Sequence, residues 1–313
     1  MNTSTTCNVA IIGAGPSALT AAMYMTREEI DTTLYERSIA GGLVATTDWI
    51  DNYPGHPKGV EGIELADELR QHAERFGATI AFREITALRQ VDSHVELTTN
   101  KGDTLSARAV LIATGSNHKK LGIPREEEYY SRGVHYCATC DGAFYKDKRV
   151  AVVGGGNSAV QEAMFLTRFA SHVDLLVRSE LRASGVLREK LASMSDQITV
   201  HLGVTTDEVV VENGVVTGVK VTSRDSGEQH TVSAEGVFIF IGLIPNTQFL
   251  QGTVIDLDEA GHIKTDDEFQ TSMPGVFAAG DVRSQSIAQI ANAVGEGAAA
   301  ALRIREYLEK SCR

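Results

Sequence analysis

A strand-to-helix glycine turn occurs twice in this chain, and the two copies share ten of nineteen positions. The first runs Val9-Ala-Ile-Ile-Gly13-Ala-Gly15-Pro16-Ser17-Ala18 and the second Val150-Ala-Val-Val-Gly154-Gly-Gly156-Asn157-Ser158-Ala159, with the matches extending to Arg27 and Arg168. In each copy an unbroken apolar run ends at the glycines and a helical stretch follows. Such a turn suits a doubly wound α/β fold. There the helix N-terminus offers unpaired N–H groups to a pyrophosphate, and glycine lets the phosphate come close. A chain of 313 residues has room for two domains. The expected fold class is therefore α/β, with two Rossmann-like dinucleotide-binding domains, one inserted in the other.

The remaining pattern supports that division. Thr32–Tyr35 reads as the next strand, Val60–Phe76 as an amphipathic helix and Ala109–Ala113 as a buried strand ending in Thr114-Gly115. In the second unit, Val150–Val153 and Val173–Val177 read as strands around a helix from Ser158 to about Ala170. Val209–Thr222 reads as a hairpin on Asn213-Gly214, and Gly236–Ile241 as another buried strand. Gly275–Asp281 closes one more strand at a glycine and an acid, and Ser286–Leu308 reads as helix. The partition expected is 1–117 with 248–313 as one split domain and 118–247 as the insertion.

The residues after each fingerprint separate the two sites. Glu36 lies 23 residues beyond Gly13, where an acid accepts from ribose hydroxyls; an unesterified ribose suits FAD or NAD. The repeat offset of 141 carries Glu36 onto Val177, followed by Arg178 and, four residues later, Arg182. Arginines there suit a 2′-phosphate, so this site leans toward NADPH. Cys137-Ala-Thr-Cys140 precedes the second copy, with Asp141 next in line to move a proton during thiol–disulfide exchange. A metal site on His135, Cys137 and Cys140 is the rival reading, weakened because no second C-x-x-C closes it. Cys7 and Cys312 are expected to stay out of the chemistry.

Charge and hydropathy exclude other classes. The net charge is 29 − 41 = −12, with no basic stretch to replace phosphate counterions, so nucleic acid is not an expected partner. No apolar run approaches the ~18–20 residues of a membrane span. Four cysteines with only one close pair do not make a secreted disulfide framework, and a cytoplasmic protein is expected.

With Cys137-Ala-Thr-Cys140-Asp141-Gly142, Ala113-Thr114-Gly115, Asp51-Asn52-Tyr53-Pro54-Gly55 and Gly280-Asp281, the chain resembles the low-molecular-weight thioredoxin reductases from about residue 8 to 308. The resemblance implies a homodimeric FAD enzyme that reduces thioredoxin or a similar small dithiol protein. It implies Cys137 and Cys140 as the redox dithiol and Asp141 as the acid. For FAD it implies Gly13, Gly15, Pro16, Ser17 and Ala18; Glu36; Gly41, Gly42, Leu43 and Thr47; and Asn52. It adds Ala113, Thr114 and Gly115, then Gly280 and Asp281, then Gln289 and Ile290. For NADPH it leaves Gly154, Gly156, Asn157, Ser158, Arg178 and Arg182. It further implies rotation of one domain against the other about hinges near 117–120 and 244–247.

Three segments depart from the family pattern. Leu176-Val177 stand where the family usually has His-Arg ahead of Arg178, and Glu180 adds a negative charge nearby. Leu43 replaces a glutamine beside the flavin, and Ala288 an arginine before Gln289. Loss of one charge-assisted contact weakens NADPH by roughly ten- to hundred-fold, about 1.5–3 kcal/mol. Restoring His-Arg at 176–177 is expected to raise NADPH use. The donor stays open between a weakly bound NADPH and a carrier such as ferredoxin. A dithiol oxidase and a non-catalytic flavin redox sensor are the rival functions.

Overall fold

The structure is a computed structural model that describes residues 5–47, 49–50 and 52–310, with residues 5–7 described by their backbone alone. The chain divides into two compact units, 1–117 with 244–313, and 118–243. The return crossing thus precedes the expected residue 248. Asn246 already belongs to the first unit, where its side chain and backbone bond Thr114 and Gly115. Among the described residues no helix is long and apolar enough to cross a membrane.

The first unit is built on a seven-stranded sheet. Its core is the parallel set Thr79–Phe82, Thr32–Glu36, Thr5–Ile12 and Thr104–Ile112. The strand Thr104–Ile112 forks the sheet. Its first half pairs antiparallel with His94–Thr99, and its last three residues pair parallel with Val276–Ala278. Register places Ile12 opposite both Tyr35 and Ile112, and Ile112 opposite Ala278. The carboxyl ends of four strands are therefore level, and each is followed by one of the expected motifs. That edge is where open α/β sheets bind ligands.

The second unit repeats the arrangement on a five-stranded parallel sheet. The order is Val134–His135, Gly236–Ile239, Arg149–Val153, His172–Val177 and Ile198–Leu202. An antiparallel three-stranded sheet, Val204–Glu212, Val215–Ser223 and Gln229–Ser233, follows. The hairpin turn uses Asn213 and Gly214, both at positive φ, as an Asn-Gly pair favours.

Unbroken apolar strands belong at the centre because helices or sheets cover both faces. Val9 and Ile11 pack into one buried cluster with the helix Pro16–Thr26, while Ala10 and Ile12 face another. Val150 and Val152, against Ala151 and Val153, repeat this alternation. The last helix runs Ile290–Lys310, starting four residues after the expected Ser286. Ser286 Oγ instead donates to the buried Glu296 carboxylate, and Asn292 Nδ2 donates to the Ile287 carbonyl. These bonds hold 286–289 as the approach to the helix.

Candidate cofactor and redox sites

The first fingerprint is held from three sides. Gly13 donates its N–H to the Tyr35 carbonyl at 2.8 Å, and Gly41 donates to the Ala14 carbonyl at 2.7 Å. Gly13 has φ +106°, and a Cβ there would lie 2.5 Å from the Ala113 carbonyl oxygen. The glycine is thus required by the neighbouring strand end. Gly15 differs: a Cβ there would meet nothing within 4 Å. Gly15 caps the helix Pro16–Thr26 with no side-chain bond, so no cap side chain takes up the first N–H groups. Glu36 is buried, and its two oxygens accept the Ala14 N–H at 2.9 Å and the Ser38 N–H at 2.9 Å. The acid expected to meet a ribose also ties its own loop to the fingerprint.

Other strand ends complete the rim. Thr114 Oγ1 donates to the Asn246 carbonyl at 2.8 Å, and Asn246 Nδ2 donates to the Thr114 carbonyl at 2.8 Å. The Glu296 carboxylate accepts the Gly280 N–H at 2.8 Å and pairs with Arg283 at 2.7 Å. A Cβ at Gly297 would lie 2.2 Å from the Ser17 carbonyl, which lets the last helix run against the first. Asn52 Nδ2 donates to Gln289 Oε1 at 3.2 Å, joining residues 237 apart. Thr47 Oγ1 bonds the Leu43 carbonyl; Gly42 approaches Gly15, and Ile290 packs on the cluster around Val44. The Leu43 side chain is exposed. Asn246, Glu296 and Arg283 were not legible as site residues, since the partners that place them here, Thr114, Gly280 and each other, are 13 or more residues away with no local pattern.

Two buried polar atoms at this rim, Ser17 Oγ and Asp281 Oδ1, have no hydrogen-bond partner among the described residues. Burial, and then the Glu296 carboxylate, push Asp281 up to about 6. Unsatisfied buried polar atoms are costly unless a ligand answers them. With the open space over Gly15, they make a set that fits a dinucleotide carrying hydroxyls and phosphates.

The second fingerprint has the same backbone. Gly154 donates to the Leu176 carbonyl at 3.0 Å, and a Cβ there would lie 2.3 Å from the Phe240 carbonyl oxygen. Gly156 is open like Gly15 and caps Asn157–Leu166 without a side-chain bond. Ser158 begins the exposed side of that helix, and Asn157 Oδ1 accepts the Ser184 N–H at 2.8 Å. The following loop is tied back by the Arg182 N–H to the Gly155 carbonyl at 2.7 Å. Where Glu36 stands in the first copy, Val177 is 2% exposed, and Leu176 beside it is 1% exposed. Both are core side chains of opposite faces. Replacing them with His-Arg would bury two polar groups, so the expected gain in NADPH use does not follow from this structure. Arg178, Glu180 and Arg182 are exposed, and no ion pair among the described residues involves them. Arg224, 46 residues from Arg178, donates from Nη1 to the Arg178 carbonyl at 3.3 Å. Pairing of Val177 with Leu202, and the Arg224 N–H bond to Gly203, bring it there. Nothing local in the sequence marks it.

Cys137 and Cys140 form a disulfide with Cα atoms 5.3 Å apart, across the single turn Ala138–Asp141. Cys140 N–H points at Cys137 Sγ at 3.1 Å, and Asp141 N–H at the Cys137 carbonyl at 3.2 Å. His135 is buried; its Nε2 meets Tyr145 Oη at 2.7 Å and its Nδ1 lies 3.2 Å from Asp141 Oδ2. The histidine weighed as a metal ligand thus faces a tyrosine and the expected acid. Cys312 and Asp51 lie outside the described residues, as does the side chain of Cys7.

Residues 7–297 match the family described as pyridine nucleotide-disulphide oxidoreductase. A curated thioredoxin reductase of Listeria monocytogenes is 42% identical over 305 residues, covering 97% of this chain and 94% of its own. One of Bacillus subtilis is 41% identical, covering 97% and 95%. The crystal structure of thioredoxin reductase from Streptococcus pyogenes has a TM-score of 0.92 at 36% identity, covering 98% of this chain and all of that one.

Proposed function

The chain belongs to the pyridine nucleotide-disulphide oxidoreductase family and, within it, to the thioredoxin reductases, and from that premise we propose how its parts divide the work. It is an FAD-dependent disulfide oxidoreductase with Cys137–Cys140 as the redox-active pair. FAD belongs to the unit 1–117 with 244–313, and NADPH and the dithiol to the unit 118–243. Thioredoxin, or a similar small dithiol protein, is the acceptor. A homodimer in the cytoplasm is the expected assembly and place, because a reducing compartment keeps such acceptors in use. The observation that carries the reading is one disulfide set just ahead of the second of two duplicated fingerprints.

Bound FAD supplies two-electron chemistry between a hydride donor and a disulfide. The N–H groups beyond Gly15 would hold its pyrophosphate, Glu36 a ribose, and Ser17 and Asp281 the hydrogen-bonding groups that answer their unpaired oxygens. Gly41, Gly42, Leu43, Thr47, Asn52, Thr114, Gln289 and Ile290 line the rest. Gly154, Gly156, Asn157 and Ser158 would take the second nucleotide. Arg178, Arg182 and Arg224 are the cations at the end of the strand His172–Val177. With Val177 in the core and Glu180 between the first two, NADPH is a weak donor that is still preferred to NADH. In the reduced enzyme, Asp141 moves the proton as a cysteine thiol attacks the acceptor disulfide.

The test is anaerobic addition of NADPH, NADH, reduced ferredoxin and dithionite to parallel samples, followed by oxidised thioredoxin. The flavin should bleach with NADPH at lower concentration than with NADH, and thioredoxin should restore the colour. Arg224→Ala should raise the NADPH requirement several-fold and leave NADH unchanged. Bleaching by reduced ferredoxin but by neither nucleotide would transfer the donor role to a protein carrier. Cys137→Ser should abolish thioredoxin reduction while the flavin still bleaches.

A further inference from the structure

We propose that Tyr145 and His135 form a buried relay that positions Asp141 for proton transfer at the Cys137/Cys140 dithiol; this rests on Asp141 being the acid of the reaction. His135 is 4% exposed and closes the pairing of Val134–His135 with the strand Gly236–Ile239. Its ring stacks on Phe238 at 5.1 Å and meets the edge of Tyr145 at 5.3 Å. Tyr145 is fixed in turn, since Gly236 leaves it room: a Cβ there would lie 2.2 Å from the tyrosine ring. Burial, then the charges of Asp141 and Glu235, raise the Tyr145 hydroxyl well above its ordinary value. It therefore stays protonated, and in the relay it donates to His135 Nε2, 2.7 Å away. The imidazole proton is then left on Nδ1, on the side of the Asp141 carboxylate.

That second contact is the telling one. Nδ1 is buried and 3.2 Å from Asp141 Oδ2, yet the ring N–H is out of line for a hydrogen bond. A histidine serving only the core would be satisfied by Tyr145 and face Phe238 with its other side. Here the other nitrogen is left unbonded beside the carboxylate that follows Cys140 directly. Catalytic hydrogen bonds are often loose at rest and tighten when the reacting groups are in place. The ionisable groups facing this pair are Asp141 and Tyr145, with Glu235 and Lys148 behind Tyr145; the Lys148 Nζ lies 5.6 Å over the Tyr145 ring.

The step balances without another reagent. One cysteine thiol gives its proton to Asp141 as its sulfur attacks the acceptor disulfide. The acceptor S–S bond breaks, a mixed disulfide forms, and Asp141 returns the proton to the departing acceptor sulfur. The second cysteine thiol then attacks the mixed disulfide, reforming Cys137–Cys140. Its proton goes to the acceptor's other sulfur, so two electrons and two protons leave the enzyme. As the reacting groups come into place, the imidazole N–H closes on one carboxylate oxygen of Asp141 and keeps it from rotating away.

The experiment mixes dithionite-reduced holoenzyme with oxidised thioredoxin in a single turnover between about pH 5.5 and 9. In parallel, iodoacetamide labels the reduced dithiol over the same range, a readout independent of turnover. Asp141→Asn and His135→Leu should each slow transfer roughly tenfold or more and move both pH profiles in the same direction. His135→Asn, which keeps a donor near the Nδ1 position, should recover the rate to within about threefold of the native value. Tyr145→Phe removes only a hydroxyl and should shift the profile the same way by less. If His135→Leu does not fold, Tyr145→Phe decides alone. Unchanged pH profiles in either variant, with Asp141→Asn slow, would overturn the relay. A fast Asp141→Asn would instead remove the acid assignment on which the relay rests.

Discussion

The two fingerprint copies have the same backbone and opposite side chains at one place. Ile12 pairs with Tyr35 and Val153 with Leu176, the same register displaced by the repeat offset. Gly13 meets the Ala113 carbonyl and Gly154 the Phe240 carbonyl. The loop beyond each second strand bonds back to the middle of the turn, from Gly41 to Ala14 and from Arg182 to Gly155. At the end of the second strand, however, Glu36 bonds the Ala14 N–H, while Val177 is packed into the core. Backbone geometry is thus set by sterics at the first glycine, while the side chain that closes the loop is free to differ. The first can be copied unchanged while the second drifts.

The largest expected effect separates the two glycines of each copy. Gly13→Ala and Gly154→Ala each force a Cβ against a carbonyl and should cost about 4 kcal/mol or more, enough to unfold the affected unit. Gly15→Ala and Gly156→Ala should change stability by less than about 1 kcal/mol, because nothing lies near their missing Cβ. Gly15→Ala should nevertheless purify without flavin. Thermal melts and the flavin absorbance of each variant decide this; a stable Gly13→Ala protein would break the steric account.

The double change Leu176→His with Val177→Arg comes next. Two buried side chains become polar, and stability should fall by about 3 kcal/mol. NADPH-driven bleaching should not improve. A stable variant with stronger NADPH use would mean that the strand end opens to solvent more readily than its 1% and 2% exposure suggests.

Glu36→Gln should cost about 1–2 kcal/mol, because a charged acceptor of two backbone N–H groups becomes a neutral one that must also place an NH2. Flavin affinity should drop with it. Denaturant titration of flavin-free and flavin-loaded protein separates the two terms. An equal loss in both forms would make Glu36 a brace for its loop alone.

The last effect is one of pH. Asp281 is raised to about 6 in the folded protein. An acid raised on folding favours the folded state when protonated, so flavin-free protein should gain stability as the pH falls from above 6 toward its unfolded value near 4. The gain should be at most about 3 kcal/mol, and Asp281→Asn should remove it. Bound flavin should flatten the dependence by giving the carboxylate its partner. A flavin-free protein with no such slope would place Asp281 in water.

What could be read from the sequence was local. Val9–Ile12 and Val150–Val153 announced their strands because both faces are apolar, and each Gly-x-Gly announced its turn because no other residue fits the first position. The Cys137–Cys140 pair was legible from spacing within one helical turn. The long-range bonds were not. Asn246 reaches Thr114 across 132 residues, Asn52 meets Gln289 across 237, and Arg224 meets Arg178 across 46. Such pairs leave no periodicity, because each partner is a common surface residue in its own segment. The sequence by itself therefore determined two glycine turns, the acid that distinguishes one of them, and a dithiol ahead of the other. Only the tertiary structure decided that Val177 is core rather than a lost contact at the surface, and that a buried histidine and tyrosine stand behind Asp141. Burial and alignment of side chains depend on which strands become neighbours, and that is fixed by packing across the whole sheet rather than by any one segment.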